Sequence, residues 1–315
     1  MRARRRGMGL LIGTGVIWGT IGIAAKLLAD ETTLDPAAVT WLRTLIAAPV
    51  CLALAWATMG KKILAANRPD LTLMAGLGVV LVVYQFCYLA AVERIGVSIA
   101  TLVSLCVPPM IVAVVSVLFL GERLTGRALV ALLGAVVGTT LLVGWGASGA
   151  GGDQEGAVAG IGFALVSAAL IAAHVMVSRS LAGRQPPLRP LVIAFPVGAV
   201  VFAPVGLTGE ITVDLPVQGW LLLVYLAVVP SVIAYWMLLR ALRDVPASTA
   251  SVVTLLEPLV AAVLAWIIFS ERLGPVGWFG AALLLGAIGL LSTVPAGGHA
   301  SALAPDVPSP SAARR

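Results

Sequence analysis

Charge is what this sequence has least of: only 11% of its 315 residues are Asp, Glu, Lys or Arg, against roughly 25% in an ordinary soluble domain. With 60% hydrophobic residues there is too little polar side chain to clothe a water-soluble globule, so the chain reads as an integral membrane protein. Cysteine is scarce too. Cys51, Cys87 and Cys106 each fall inside an apolar run without paired spacing, which argues against a disulfide framework or a thiolate metal site and for burial. No Walker loop, His-Glu-x-x-His pair or Gly-x-Ser-x-Gly elbow occurs, leaving no motif for ATP-driven work, zinc peptidase or hydrolase chemistry. The expectation is therefore a protein that is not an enzyme, with no cofactor and no bound metal. The net charge of +6 is not a nucleic-acid signal, because the basic residues punctuate apolar runs instead of gathering on one solvated face.

What is present is a series of ten apolar segments near 8–29, 36–57, 70–90, 97–120, 126–146, 157–179, 190–208, 217–240, 246–269 and 275–294. Each has about the 20 residues a helix needs to cross the hydrocarbon core. Arg2, Arg4, Arg5 and Arg6, Lys61, Lys62 and Arg68, Arg123 and Arg127, Arg179, Arg184 and Arg189, Arg240 and Arg243, and Arg314 and Arg315 fall on one face of that topology, sixteen of the 20 basic residues. Only Arg94 and Arg272 fall on the other, beside most of the loop carboxylates. The positive-inside rule then places both termini in the cytoplasm and the chain in the plasma (inner) membrane. The basic N-terminus of residues 1–7 reads as the flank of a retained signal anchor, and the Ala/Pro/Ser-rich stretch 295–315 as a disordered tail.

The halves resemble one another. Ala91, Ser98, Ala100 and Pro108 recur 150 residues on as Ala241, Ser248, Ala250 and Pro258, and Glu122-Arg123-Leu124 recurs as Glu271-Arg272-Leu273. Five segments per half is an odd number, so the second copy enters the membrane upside down. The expected fold is all-α, ten transmembrane helices as two inverted five-helix repeats, 8–146 and 157–294, joined by an outer linker at 147–156. Such inverted repeats are a common transporter architecture.

Trp18-Gly19, Lys26, Arg43, the run from Ser98 through Pro109 to Gly121-Glu122-Arg123-Leu124, and its second copy from Ala247-Ser248 through Glu257-Pro258 to Ser270-Glu271-Arg272-Leu273 resemble the EamA-type members of the drug/metabolite transporter superfamily. The resemblance covers residues 8 to 294. It implies a central cavity between the halves and export of amino acids or other small metabolites, with a small-molecule substrate and the lipid bilayer as partners. It names neither the substrate nor the oligomeric state.

Ionisable residues within spans mark pathways, because a charge at mid-bilayer costs about 2.5–3.5 kcal/mol on insertion scales. There are four: Lys26, Arg43, His174 and Glu257. Lys26 and Arg43 would form a cationic patch for a carboxylate or phosphate; the alternative is that Lys26 snorkels to the interface and Arg43 pairs locally. Glu257, before Pro258, is a candidate for proton coupling. Its alternative is a protonated carboxyl bonding a carbonyl that the missing Pro258 N–H leaves free. His174 is a second proton-coupling candidate, or a structural hydrogen-bond donor.

Ser98, Thr101 and Ser104 form a hydroxyl stripe repeated as Ser248, Ser251 and Thr254, which lines a pathway or simply packs helices; the prolines at 108, 109 and 258 are expected to interrupt both helices. Trp18, Tyr84, Gln85, Tyr235 and Trp236 are candidates to stack and orient an organic solute, or members of an interfacial belt. Gly15/Gly19 and Gly134/Gly138 signal close helix packing. The candidate pathway is thus Trp18, Lys26, Arg43, Tyr84, Gln85, Ser104, Tyr235, Trp236, Thr254 and Glu257. The competing functions are a drug or sugar-derivative carrier of the same fold, and a non-transporting scaffold or lipid-processing protein.

Overall fold

The computed structural model describes residues 2–63, 65–119, 125–144, 154–207, 215–269 and 274–293. Every element among them is helical: α1 (Arg2–Gly19), α2 (Ile21–Glu31), α3 (Pro36–Met59), a single 3₁₀ turn (Gly60–Lys62), α4 (Arg68–Phe119), α5 (Gly126–Gly144), α6 (Gln154–Ala182), α7 (Leu188–Gly206), α8 (Val217–Leu226), a π-helical turn (Ala227–Ile233), α9 (Ala234–Ala241), α10 (Ala247–Val253), α11 (Leu256–Phe269) and α12 (Pro275–Thr293). Seven helical stretches are long and apolar enough to cross a membrane, which makes this a multi-pass membrane protein. Three shorter apolar helices, Val103–Phe119, Gly126–Leu141 and Pro275–Leu290, lie where the fourth, fifth and tenth segments were expected. The Glu-Arg-Leu turns, most of the linker and the tail lie outside the described residues.

Local signals explain the starts. Asp35 caps α3 by accepting the Ala38 N–H at 2.7 Å, with Pro36 in the first turn where its missing N–H costs nothing. Thr125 caps α5 in the same way, accepting the Ala128 N–H at 3.2 Å. The 52 residues of α4 are helical without a break, yet the Tyr88 hydroxyl lies 2.8 Å from that of Thr101. Thirteen residues of straight helix rise about 20 Å, so the chain doubles back between them and α4 supplies both the third and the fourth segments. Pro108 and Pro109 are carried inside α4, contrary to the expected interruption. In the second half the break falls at Thr254 and Leu255, between α10 and α11. Two further breaks had no forecast: Thr20, between α1 and α2, and the π turn around Pro230.

The main helix contacts cross from the first half to the second: α4 with α6 and α7, α5 with α12, α3 with α7, α1 with α9 and α11, α2 with α8. Glycines permit the approach. A Cβ on Gly15 would meet Leu256, one on Gly19 would meet Val260, one on Gly138 the Gly280 carbonyl and Leu284, and one on Gly78 the Ala194 carbonyl. Gly15, Gly19 and Gly138 thus do the close packing read from their spacing, whereas a Cβ on Gly134 would find ordinary contact with Ala287 at 3.5 Å. At one end of the bundle a polar clasp joins the halves. The buried Asp70 carboxylate is 2.9 Å from the Arg184 guanidinium and accepts from the Gln185 amide at 2.5 Å, while Arg189 donates to the Gln185 side-chain oxygen at 2.6 Å and Arg243 to its backbone carbonyl at 2.6 Å.

Candidate functional site

Between the halves lies a cavity of about 140 Å³ whose walls come from α1, α2, α3, α4, α6, the π turn, α9, α10 and α11. The π turn explains part of its shape. Pro230 has no N–H for the Leu226 carbonyl, and the Ser231 hydroxyl donates to that carbonyl instead, at 2.9 Å. One residue of extra winding sends the Ala234 N–H to Val229, which leaves the Pro230 carbonyl for the Trp18 indole N–H, at 3.0 Å. The i to i+5 spacing turns Pro230, Ser231 and Tyr235 toward the same cavity.

Tyr235 is the centre of an aromatic cluster. Trp18, His174 and Phe195 meet its ring edge-on, with centroids at 5.2, 5.2 and 6.2 Å, a favoured quadrupole arrangement. Its hydroxyl lies 3.0 Å from that of Tyr84, to which the Gln85 amide also donates at 3.4 Å. Trp18, Tyr84, Gln85 and Tyr235 all line the cavity.

The charged groups are Arg43 and Glu257, both lining the cavity, and neither side chain makes a hydrogen bond or ion pair among the described residues. The carbonyl of Thr254, which a residue in place of Pro258 would bond, accepts the Glu257 backbone N–H at 3.0 Å. The Glu257 carboxyl is therefore not needed there. Thr254 also lines the cavity and spends its hydroxyl on the Ser251 carbonyl at 2.9 Å. His174 is 4% exposed and lines the cavity, with neither ring nitrogen hydrogen-bonded.

Three expected residues stand elsewhere. Lys26 is exposed on α2 and does not line the cavity. Trp236, 36% exposed, follows Tyr235 on the helix and so points away from the cavity. Ser104 is buried with no partner for its hydroxyl, one residue before the cavity-lining Leu105. The hydroxyl stripe divides accordingly: Thr101 binds Tyr88, Ser251 and Thr254 reach the cavity, and the Ser98 side chain lies outside the described residues. Pro230 and Ser231 were missed; an in-span proline five residues before Tyr235 was the available signal. No group of three His, Cys, Asp or Glu residues among the described residues could hold a metal ion.

Comparison with known proteins agrees with this architecture. The model of the EamA-like transporter family matches twice, over residues 5–144 and 158–293. The transporter YwfM of Bacillus subtilis, described as uncharacterized, is 27% identical over 88% of this chain and 90% of its own. An uncharacterized transporter of Archaeoglobus fulgidus is 26% identical over 91% of this chain and 96% of its own. A solved crystal structure, 22% identical, shares the fold with a TM-score of 0.76 over 92% of this chain and 97% of that one. A chain whose two halves each match the family model belongs to the EamA-like transporter family.

Proposed function

We propose that the protein exports a small zwitterionic metabolite, an amino acid or a related compound, across the plasma membrane by alternating access. Its ten crossings form two inverted repeats, 8–146 and 157–294, with both termini cytoplasmic. The observation that carries the reading is one cavity lined by a guanidinium, Arg43, and a carboxyl, Glu257, neither of which is paired among the described residues. Both side chains are half-buried, a charge held within a membrane without a partner is costly, and a ligand carrying both signs supplies both partners. Arg43 presents a planar fork suited to a carboxylate. Glu257 accepts an ammonium. A drug or sugar derivative of single or no charge leaves at least one of the two uncompensated.

The same carboxylate provides coupling. Glu257 holds either a proton or the substrate ammonium, so each displaces the other, and exchange on opposite faces of the membrane makes a proton antiporter. The membrane potential is worth about 2.3 kcal/mol per charge per 100 mV. His174 has no hydrogen-bonded neighbour among the described residues through which to relay a proton, so coupling rests on Glu257.

The test compares metabolites in medium and cytosol by mass spectrometry for cells producing wild type, Arg43→Ala or Glu257→Gln at matched membrane levels. A zwitterionic solute that rises outside with wild type alone supports the reading. Three profiles matching the empty vector would remove it and favour a non-transporting role; a singly charged or neutral solute would favour the drug or sugar-derivative carrier.

A further inference from the structure

The polar groups around the cavity divide into those the protein uses and those it leaves. The Trp18 indole is held by the Pro230 carbonyl, the Ser231 hydroxyl by Leu226, the Thr254 hydroxyl by Ser251, and the Tyr84 and Tyr235 hydroxyls by one another. Left over are Arg43 and Glu257, the Gln85 side-chain oxygen, the Ser251 hydroxyl and the imidazole of His174, whose ring is set edge-on to Tyr235 and is the group among them with both polar atoms buried and unpartnered.

An uncharged imidazole carries one N–H donor and one lone-pair acceptor. Burying both without partners forfeits what water would give, and that loss is recovered only by something that can accept, donate or do both at this wall. The amino and carboxyl groups of a zwitterion are engaged by Glu257 and Arg43. A third polar point on the substrate is required to satisfy His174.

We propose that His174 is a specificity-determining residue and that the substrate is a zwitterion with an uncharged hydrogen-bonding side chain, a hydroxyl or a carboxamide. This rests on the zwitterion reading above. The cavity of about 140 Å³ favours a short side chain, and His174 lines it beside the rings of Trp18 and Tyr235. A pocket built to hydrogen-bond a substrate group rejects the shape-matched analogue lacking it far more strongly than an apolar pocket separates methylenes.

The experiment uses the full chain purified into liposomes loaded with unlabelled amino acid, and measures initial counterflow of two isosteric pairs: L-threonine against L-valine, and L-asparagine against L-leucine. Wild type is expected to favour the polar member of each pair by about tenfold or more. In His174→Phe the ratio is expected to fall to within about twofold, and in His174→Gln, which keeps a donor and an acceptor, to recover part of the way. Equal handling of each pair by wild type, or a preference that survives in His174→Phe, would overturn the proposal while leaving amino-acid transport intact. Transport of none of the four would overturn it together with the zwitterion reading. Because the wild-type ratio is decisive alone, a misfolded variant does not shelter the idea.

Discussion

Adding one methyl group at Gly19 should destabilise the protein, whereas the same addition three residues later should not. A Cβ built on Gly19 lies 2.5 Å from the Val260 Cβ and 2.8 Å from the Glu257 carbonyl oxygen, while one built on Gly22 meets nothing within 4 Å. Carbon atoms rest about 3.5–4.0 Å apart, so α1 and α11 must part by about an ångström in Gly19→Ala. Overpacking of this kind costs about 1–3 kcal/mol. Gly19 ends α1 and Gly22 lies in the first turn of α2, so each variant gains at most part of the interior helix propensity of about 1 kcal/mol, and the difference between them reports chiefly the contact. At about 2 °C per kcal/mol for a chain of this size, Gly19→Ala should unfold about 2–6 °C below Gly22→Ala in detergent thermal scans at matched protein and detergent concentrations. Equal midpoints, or the reverse order, would falsify the close-contact account of the α1 and α11 seam.

Two further substitutions probe the π turn and the clasp. Ser231→Ala removes the donor to the Leu226 carbonyl and should cost about 1–3 kcal/mol; adding Pro230→Ala, which restores an N–H, should return part of it, and an unchanged midpoint in the single variant would count against this account. Asp70→Asn should cost more than Arg184→Ala, because the Asp70 side chain is 2% exposed and the Arg184 side chain 47%. We expect about 1–2 kcal/mol for the first, below the 3–5 of a fully buried pair because its partner is wet, and under about 1 for the second. Thermal scans ranking the two the other way would refute it.

Helical segments were legible because a membrane demands long apolar runs, and Arg43 and Glu257 because a charge at depth has few explanations. The fold-back within α4 was legible too, because Glu93 and Arg94 separate the segments 70–90 and 97–120; what the sequence did not show is that the helix carries Pro108 and Pro109 without interruption. Nor could Tyr235 be told from Trp236: the π turn shifts the helix phase just before them, and only coordinates reveal which ring then faces inward. Lys26 near a span end reads alike as pathway or interface. Gly15/Gly19 carried its meaning in a four-residue spacing; Gly78 and Gly198, which approach each other from different helices, have no spacing to read.

A set of glycines lies along the seam itself. Gly7 faces Val245, Gly15 Leu256, Gly19 Val260, Gly78 Ala194, Gly138 Gly280, Gly206 Trp41 and Gly219 Thr32, each pair drawn from opposite halves. Helices that interdigitate long side chains behave like meshed gears and must disengage before they move. Here Gly78 and Gly138 meet backbone of the other half, and at Gly7, Gly15, Gly19, Gly206 and Gly219 a side chain comes from one side only, so at these points nothing interlocks from both sides and the contact acts as a bearing. Small sliding of packed helices is a recognised mode of shape change, and a bearing lets one half slip on the other while staying in contact throughout. The seam glycines thereby acquire a mechanical meaning, as the material from which a joint is made.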